Sequence, residues 1–294
     1  TYGRGRVNGG CNSGWDGFSY IDNRGLLWYQ GKNTTTVPDY YNWPMNNPAY
    51  TMPNGSSQYR QIMFYDGGMA DLARTQPNDY SQWLLDIDTG AALDPAPGRG
   101  YAMPWVKYYV AGQCYTFAIS REGYAYAASG YNGLGACGDG TTSTNYRWNM
   151  ISFYNEDGTQ LLTGPNKPRI RQICNGDAGI NCNYTSTGTT YFVSTDNRLW
   201  TVGYDYYGTQ FRAASVATYT TTAQEVPLSR FDNEEVSQVF PCGSYGTYVL
   251  TVTGRLWYSG QNYSGEANNG AASTGVVAGF VTTPFEVTSN ANSS

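Results

Sequence analysis

Four stretches share one pattern: Tyr20-Ile21-Asp22-Asn23-Arg24-Gly25-Leu26-Leu27-Trp28-Tyr29-Gln30-Gly31, Ala118-Ile119-Ser120-Arg121-Glu122-Gly123-Tyr124-Ala125-Tyr126-Ala127-Ala128-Ser129-Gly130, Phe192-Val193-Ser194-Thr195-Asp196-Asn197-Arg198-Leu199-Trp200-Thr201-Val202-Gly203 and Val249-Leu250-Thr251-Val252-Thr253-Gly254-Arg255-Leu256-Trp257-Tyr258-Ser259-Gly260. Each joins two apolar, strand-like runs at Gly25, Gly123, Asn197 or Gly254, residue types that accept positive φ at low cost. Each is therefore a predicted β-hairpin. The second strand carries Trp28, Tyr126, Trp200 or Trp257 at one offset, so one large ring per repeat is expected to fill the core between repeats.

The closing glycines are separated by 99, 73 and 57 residues. The widest gap holds a weaker copy, Trp83-Leu84-Leu85-Asp86-Ile87-Asp88-Thr89-Gly90-Ala91-Ala92-Leu93. A feeder strand precedes the clear copies, as Arg60-Gln61-Ile62-Met63, Val106-Lys107-Tyr108-Tyr109-Val110, Arg171-Gln172-Ile173-Cys174 and Val236-Ser237-Gln238-Val239. Five units follow, with approximate bounds 7–58, 59–104, 105–168, 169–234 and 235–294. Repeats of this length, each of several short strands, predict an all-β chain that is a single β-propeller domain over 1–294. It has five recognisable blades, with room for at most seven.

The hairpin, its Gly-x-Asn close and the tail Gly130-Tyr131-Asn132-Gly133-Leu134-Gly135-Ala136-Cys137-Gly138-Asp139-Gly140 resemble the repeat of the regulator of chromosome condensation family. Gly203-Tyr204-Asp205-Tyr206-Tyr207-Gly208 and Gly260-Gln261-Asn262-Tyr263-Ser264-Gly265-Glu266 are looser versions. The resemblance implies a propeller fold. It departs from the family in having no His anywhere, with Gly112-Gln113-Cys114-Tyr115-Thr116 and Gly243-Ser244-Tyr245-Gly246-Thr247 where that family often has one. It also departs in blade number, since the family's best-known propellers have seven. Nucleotide exchange and chromatin docking therefore do not follow from it.

Charged residues make up 13% of the 294, with 17 basic and 22 acidic side chains and a pI near 4.7. Lys occurs only at 32, 107 and 167, so no basic surface is available for nucleic acid or an anionic membrane. Neither a leader nor an apolar run of membrane-spanning length is evident, so the chain reads as a processed product or the ordered part of a longer protein, without membrane insertion. Its 28 Tyr, with abundant Gly, Asn, Thr and Ser, suit an uncharged surface outside a cell.

Six Cys lie at 11, 114, 137, 174, 182 and 242 without Cys-x-x-Cys spacing. No metal site or cofactor is expected. Cys174 with Cys182, across a short loop, and Cys11 with Cys242, across the seam of a closed ring, are the candidate disulfides; buried free thiols are the alternative.

Without His, Ser-His-Asp and Cys-His catalysis are excluded and only carboxylate chemistry remains. Asp86 and Asp88, alternating on one strand, and Asp139, Asp205 and Glu266, in loops after their hairpins, are the carboxylate candidates. Nothing in their spacing singles out an acid and a base, so no catalytic residue is assigned. The loops give a stronger lead. Tyr40, Tyr41 and Trp43 sit in a Pro- and Asn-rich connection, and Tyr131, Tyr204, Tyr206, Tyr207 and Tyr263 follow successive hairpins. If these tips converge on one face they form a recognition patch, with Asn132, Asp205 and Asn262 as hydroxyl partners for a sugar; the alternative is that they are turn-formers packed under the loops.

The expected function is non-enzymatic recognition or adhesion outside a cell, as a virion surface or phage fibre domain that binds a host surface protein or glycan and contacts other virion proteins. A secreted adhesin or protein inhibitor, and a carboxylate glycosidase, are the alternatives. Thr274–Val281 and Pro284–Val287 are expected to give outer strands to the last blade or to dock on another chain, and the final residues to fray.

Overall fold

In the computed structural model the described residues are 12–14, 17–21, 27–31, 56–61, 84–85, 92–93, 106–111, 115–120, 123–129, 132–143, 145–176, 188–205, 208–212, 218–242, 246–261 and 280–287. They form β-strands and two short 3-10 turns, with no α-helix. The chain divides into two compact units: residues 1–132 with 143–151, and residues 133–142 with 152–294.

In the first unit, β1 (Asn12–Gly14), β2 (Gly17–Ile21), β3 (Leu27–Gly31) and β4 (Ser56–Gln61) make one antiparallel sheet in chain order. A two-stranded hairpin pairs β5 (Leu84–Leu85) with β6 (Ala92–Leu93). The second four-stranded sheet contains β7 (Val106–Ala111), β8 (Tyr115–Ser120), β9 (Ala125–Ser129) and β10 (Asn145–Met150). Phe117, Ala118, Ile119, Ala125 and Tyr126 are buried there.

The second unit contains a five-stranded sheet and a four-stranded one. In the first, β12 (Ile170–Asn175), β13 (Thr189–Ser194), β14 (Leu199–Asp205) and β15 (Thr218–Glu225) run antiparallel, and β11 (Phe153–Tyr154) adds to β15 in parallel. The second is β16 (Val236–Cys242), β17 (Gly246–Thr251), β18 (Leu256–Gln261) and β19 (Phe280–Glu286). Between these sheets Tyr191, Val193, Leu199, Phe211, Phe231, Val239, Val249 and Trp257 form one apolar cluster.

Local chemistry explains the hairpins. Gly123, Asn197 and Gly254 take φ of 91°, 62° and 89° at the three described turns. That left-handed geometry is what the Gly or Asn at this point supplies. The rings also go where the repeat places them: Tyr126, Trp200 and Trp257 are all buried.

Two readings of the repeat are corrected. The stretch beginning at Arg60 does not open a second sheet; Arg60 and Gln61 sit in β4, opposite Tyr29 and Trp28. An extended polar-apolar run pairs equally well as first or last strand, and only the neighbour it meets decides which. Likewise, the sheet of the fourth unit begins before residue 169, because Phe153 packs edge-on against Phe192 and Trp200 and carries β11 onto β15. Phe280–Glu286 is the outer strand of the last sheet, the first of the two roles expected for the segment from Pro284.

The feeder strands share a bulge. Register shifts fall between Val106 and Tyr108, Ile170 and Gln172, and Val236 and Gln238. An extra residue re-aims its side chain, and Arg171 uses this to reach the next sheet. Its Nε donates to Ser194 O at 2.9 Å, and its Nη2 reaches Asn197 Oδ1 (3.2 Å), Val236 O (3.1 Å) and Ser237 O (2.5 Å). Partial burial lowers its pKa.

The Arg that follows each turn in this unit is held by carboxylates. Arg198 meets Glu225 at 2.6 Å and Glu156 at 3.2 Å. Arg255 meets Glu286 and Asp232 at 2.8 Å and Glu234 at 3.1 Å, and lies 4.8 Å from the centre of the Trp257 ring. Hydrogen bonds from Thr251 and Thr253, then Arg255, hold the Glu234 carboxyl at about 2. A depressed carboxylate adds stability above its unfolded pKa and loses it as pH falls toward its folded one. Glu234→Gln is therefore expected to lower the melting temperature at pH 6, and the gap to wild type to close between about pH 4.5 and pH 2; a gap that does not change with pH would refute the assignment.

Candidate functional site

The tails that follow the hairpins were the sequence-based candidate surface, and the second unit shows two of them. The first, from Gly133, lies on the fourth sheet. Thr190 Oγ1 donates to Ala136 O at 2.9 Å, Gly140 N donates to Thr221 O at 2.8 Å, and Asp139 bridges Thr222. At Gly135 a Cβ would lie 2.6 Å from Thr220 O, so the tail seats this closely only because that residue is glycine.

The second tail, Gly208–Phe211, is buried by the fifth sheet. Ser259 Oγ donates to Gly208 O. Tyr191 OH donates to Thr209 O at 3.1 Å and shares a 2.7 Å hydrogen bond with Thr247 Oγ1. Thr189 Oγ1 donates to Tyr204 O at 2.8 Å, and Gln210 Nε2 to Gly203 O at 2.9 Å. Phe211 packs on Phe231, with ring centres 5.4 Å apart. Thr190 and Thr247 sit at the same place in successive repeats; the first bonds the preceding tail directly at Ala136 O, and the second reaches Thr209 O only through the Tyr191 hydroxyl. Desolvation raises the pKa of the buried Tyr191 phenol.

Asn132 and Asp205 are placed differently from a ligand-facing surface. Asn132 is fully buried. Asp205 is 6% exposed and accepts from Gln210 N at 3.2 Å. Burial raises the Asp205 pKa, opposed by the Gln210 bond and the Arg212 charge; burial brings Arg212 down to about 10, opposed by Asp205. Arg212 is tied to Gln224 Oε1 and, at 3.1 Å, to Thr220 Oγ1. Buried polar groups must find partners, and the Asp205 carboxylate finds one in the tail that follows it, at Gln210 N. Asp139 Oδ1 accepts from Thr141 N and Oγ1 at 3.0 Å.

Tyr204 is half-buried on β14, directly opposite Tyr219 of β15. Tyr219 is 52% exposed, the most exposed large apolar side chain among the described residues. Opposed residues of an antiparallel pair share a face, which sets two tyrosines side by side at one end of this sheet. Sequence reasoning found Tyr204 through its hairpin and missed Tyr219, which lies in a Thr-rich strand with no repeat signature. Tyr40, Tyr41, Trp43, Tyr131, Tyr206, Tyr207, Asn262 and Tyr263 lie outside the described residues, as do Cys11 and Cys182. Their proposed partners Cys242 and Cys174 are free thiols. Cys174 Sγ donates to Val239 O at 3.4 Å, and burial pushes its pKa up to about 11. Among the described residues no group of three or more Cys, Asp or Glu is gathered as metal ligands.

No protein-family model and no curated protein matches the chain. Solved structures do. Prp20p from Saccharomyces cerevisiae is 14% identical with a TM-score of 0.55 over 99% of this chain and 52% of its own. Yeast RCC1 (Prp20), solved bound to Kap60, is 15% identical with a TM-score of 0.53 over 99% and 50%. The chain has an RCC1-like β-propeller fold. This RCC1-like propeller spans about half the length of the yeast structures it matches. One of those is described by its binding to Gsp1p and histones, and the other is a complex with Kap60.

Proposed function

We propose that the chain is a non-enzymatic recognition propeller acting outside the cell, as a virion surface or fibre domain that binds a host glycan or surface protein. The exposed Tyr219 beside Tyr204 carries this reading. Tyrosine offers a flat apolar face with a hydroxyl at low conformational cost, which serves both sugar stacking and protein contact. Low charge, three Lys and no His favour a neutral ligand over nucleic acid. The tail carboxylates Asp139 and Asp205, each engaged in its own turn, favour binding over glycoside hydrolysis. The yeast structures with the same fold have protein partners, a likeness of fold only.

The test joins a glycan and host-protein array with mass spectrometry of purified extracellular particles. Tyr219→Ala is expected to weaken binding about tenfold, or about 1.4 kcal/mol, without changing the melting temperature by more than about 1 °C. Stoichiometric presence in a particle would support the virion role. Array binding that is unaffected by Tyr219→Ala, or occurrence only as free secreted protein, would overturn it.

A further inference from the structure

The fourth and fifth sheets are built from matching parts, down to a motif before each feeder strand: Phe153-Tyr154-Asn155-Glu156 and Phe231-Asp232-Asn233-Glu234. Phe153 meets Trp200 edge-on at 5.9 Å and Phe231 meets Trp257 at 6.0 Å. Glu156 pairs with Arg198 at 3.2 Å and Glu234 with Arg255 at 3.1 Å. Trp200 stands opposite Glu225 and Trp257 opposite Glu286.

The two copies differ in between. In the fourth sheet Phe153 and Tyr154 are extended as β11 and Asn155-Glu156 lead into a turn; Ala223 N donates to Ser152 O at 3.0 Å, and Trp200 Nε1 donates to Tyr154 O at 3.0 Å. In the fifth, Asp232 and Asn233 have φ of 54° and 66°, the left-handed region that Asp and Asn enter more readily than other non-glycine residues. They close a 3-10 turn, with Asn233 N donating to Leu228 O at 2.9 Å and Glu234 N to Phe231 O at 3.0 Å. Trp257, 6% exposed, is left with a buried Nε1 that has no acceptor. Register explains the difference. Pro284 occupies the β19 position that Ala223 occupies in β15, two residues before the paired Glu, and proline has no N–H to donate to an added strand. Among the described residues β19 has no strand on its outer side.

The geometry points to a two-state strap: Phe231–Glu234 exchanges between this turn and an extended strand on β19, in which the Asp232 carbonyl accepts from Trp257 Nε1, and Pro284 holds it in the turn. Phe231 and Glu234 keep their contacts in both states, as Phe153 and Glu156 show, so only Asp232 and Asn233 must turn. The extended state gives the buried Trp257 donor an acceptor and adds a strand to the outer side of β19.

The indole N–H signals of the whole, 15N-labelled chain test this, assigned with Trp200→Phe and Trp257→Phe. In the wild type the Trp257 signal is expected upfield of the Trp200 signal and exchanging with solvent about tenfold faster. Pro284→Val is expected to move it downfield to the Trp200 position and slow its exchange about tenfold, with the Trp200 signal fixed as the sign of an intact fold. A Trp257 signal that stays in place in folded Pro284→Val, or that coincides with the Trp200 signal in the wild type, overturns the strap. Should Pro284→Val not fold, Asp232→Val decides: a β-branched residue disfavours the turn, so the same downfield move supports the strap and an unmoved signal overturns it.

Discussion

Gly203→Ala is expected to destabilise the chain by about 3–6 kcal/mol, a large part of the stability of an ordinary domain. Gly203 closes the fourth hairpin with φ of 103°, and a Cβ there would lie 2.0 Å from Gly188 O, 3.1 Å from Gly188 C and 3.3 Å from Ala136 Cα. All three are backbone atoms, fixed by the β13–β14 ladder and by the tail on Thr190. They cannot step aside as the end of a long side chain would. Gly254→Ala separates strain from clash: its φ is 89°, yet a Cβ there meets nothing within 4 Å, so only the left-handed conformation is penalised, at about 1 kcal/mol. Urea unfolding of both variants measures the difference. Equal losses would mean that the close approach at Gly203 is absent in solution.

Arg171→Ala is expected to cost about 2–4 kcal/mol. One guanidinium gathers Ser194 O, Asn197 Oδ1, Val236 O and Ser237 O from two sheets, and its removal takes the donor from all four. Arg171→Lys should recover less than half, because an ammonium lacks the planar fork that reaches several acceptors together. The partners are carbonyls and an amide, with no carboxylate among them. The loss should therefore be the same at low salt and in about 1 M NaCl, where an ion pair would be screened. A salt-dependent loss, or one under about 0.5 kcal/mol, would remove Arg171 from the contact between the sheets.

What was legible in the sequence was what a few neighbouring residues enforce. A hairpin is decided within a dozen positions, so Gly123, Asn197 and Gly254 announced their turns and Tyr126, Trp200 and Trp257 their buried places. The propeller class followed because the unit repeats. Strand membership was less legible: Arg60-Gln61 has the look of a feeder strand and serves as the last strand of its sheet.

The recognition surface was the least legible. Asn132 and Asp205 read as exposed loop residues, and both are buried; Asp205 ends β14, and the tail that follows it is covered by the sheet of the next repeat. Tyr219 stands on the surface in a strand without a signature of its own, placed beside Tyr204 by a pairing across fourteen residues. Sequence by itself determined the repeat, its turns and its rings, since these rest on backbone preference and apolar periodicity within one hairpin. Tertiary structure alone decided which tail each sheet covers, which carbonyls Arg171 gathers and which of two matching motifs becomes a strand. Those outcomes depend on groups brought together from far along the chain, and a single missing N–H, as at Pro284, has no local signal that tells what it will fail to bind.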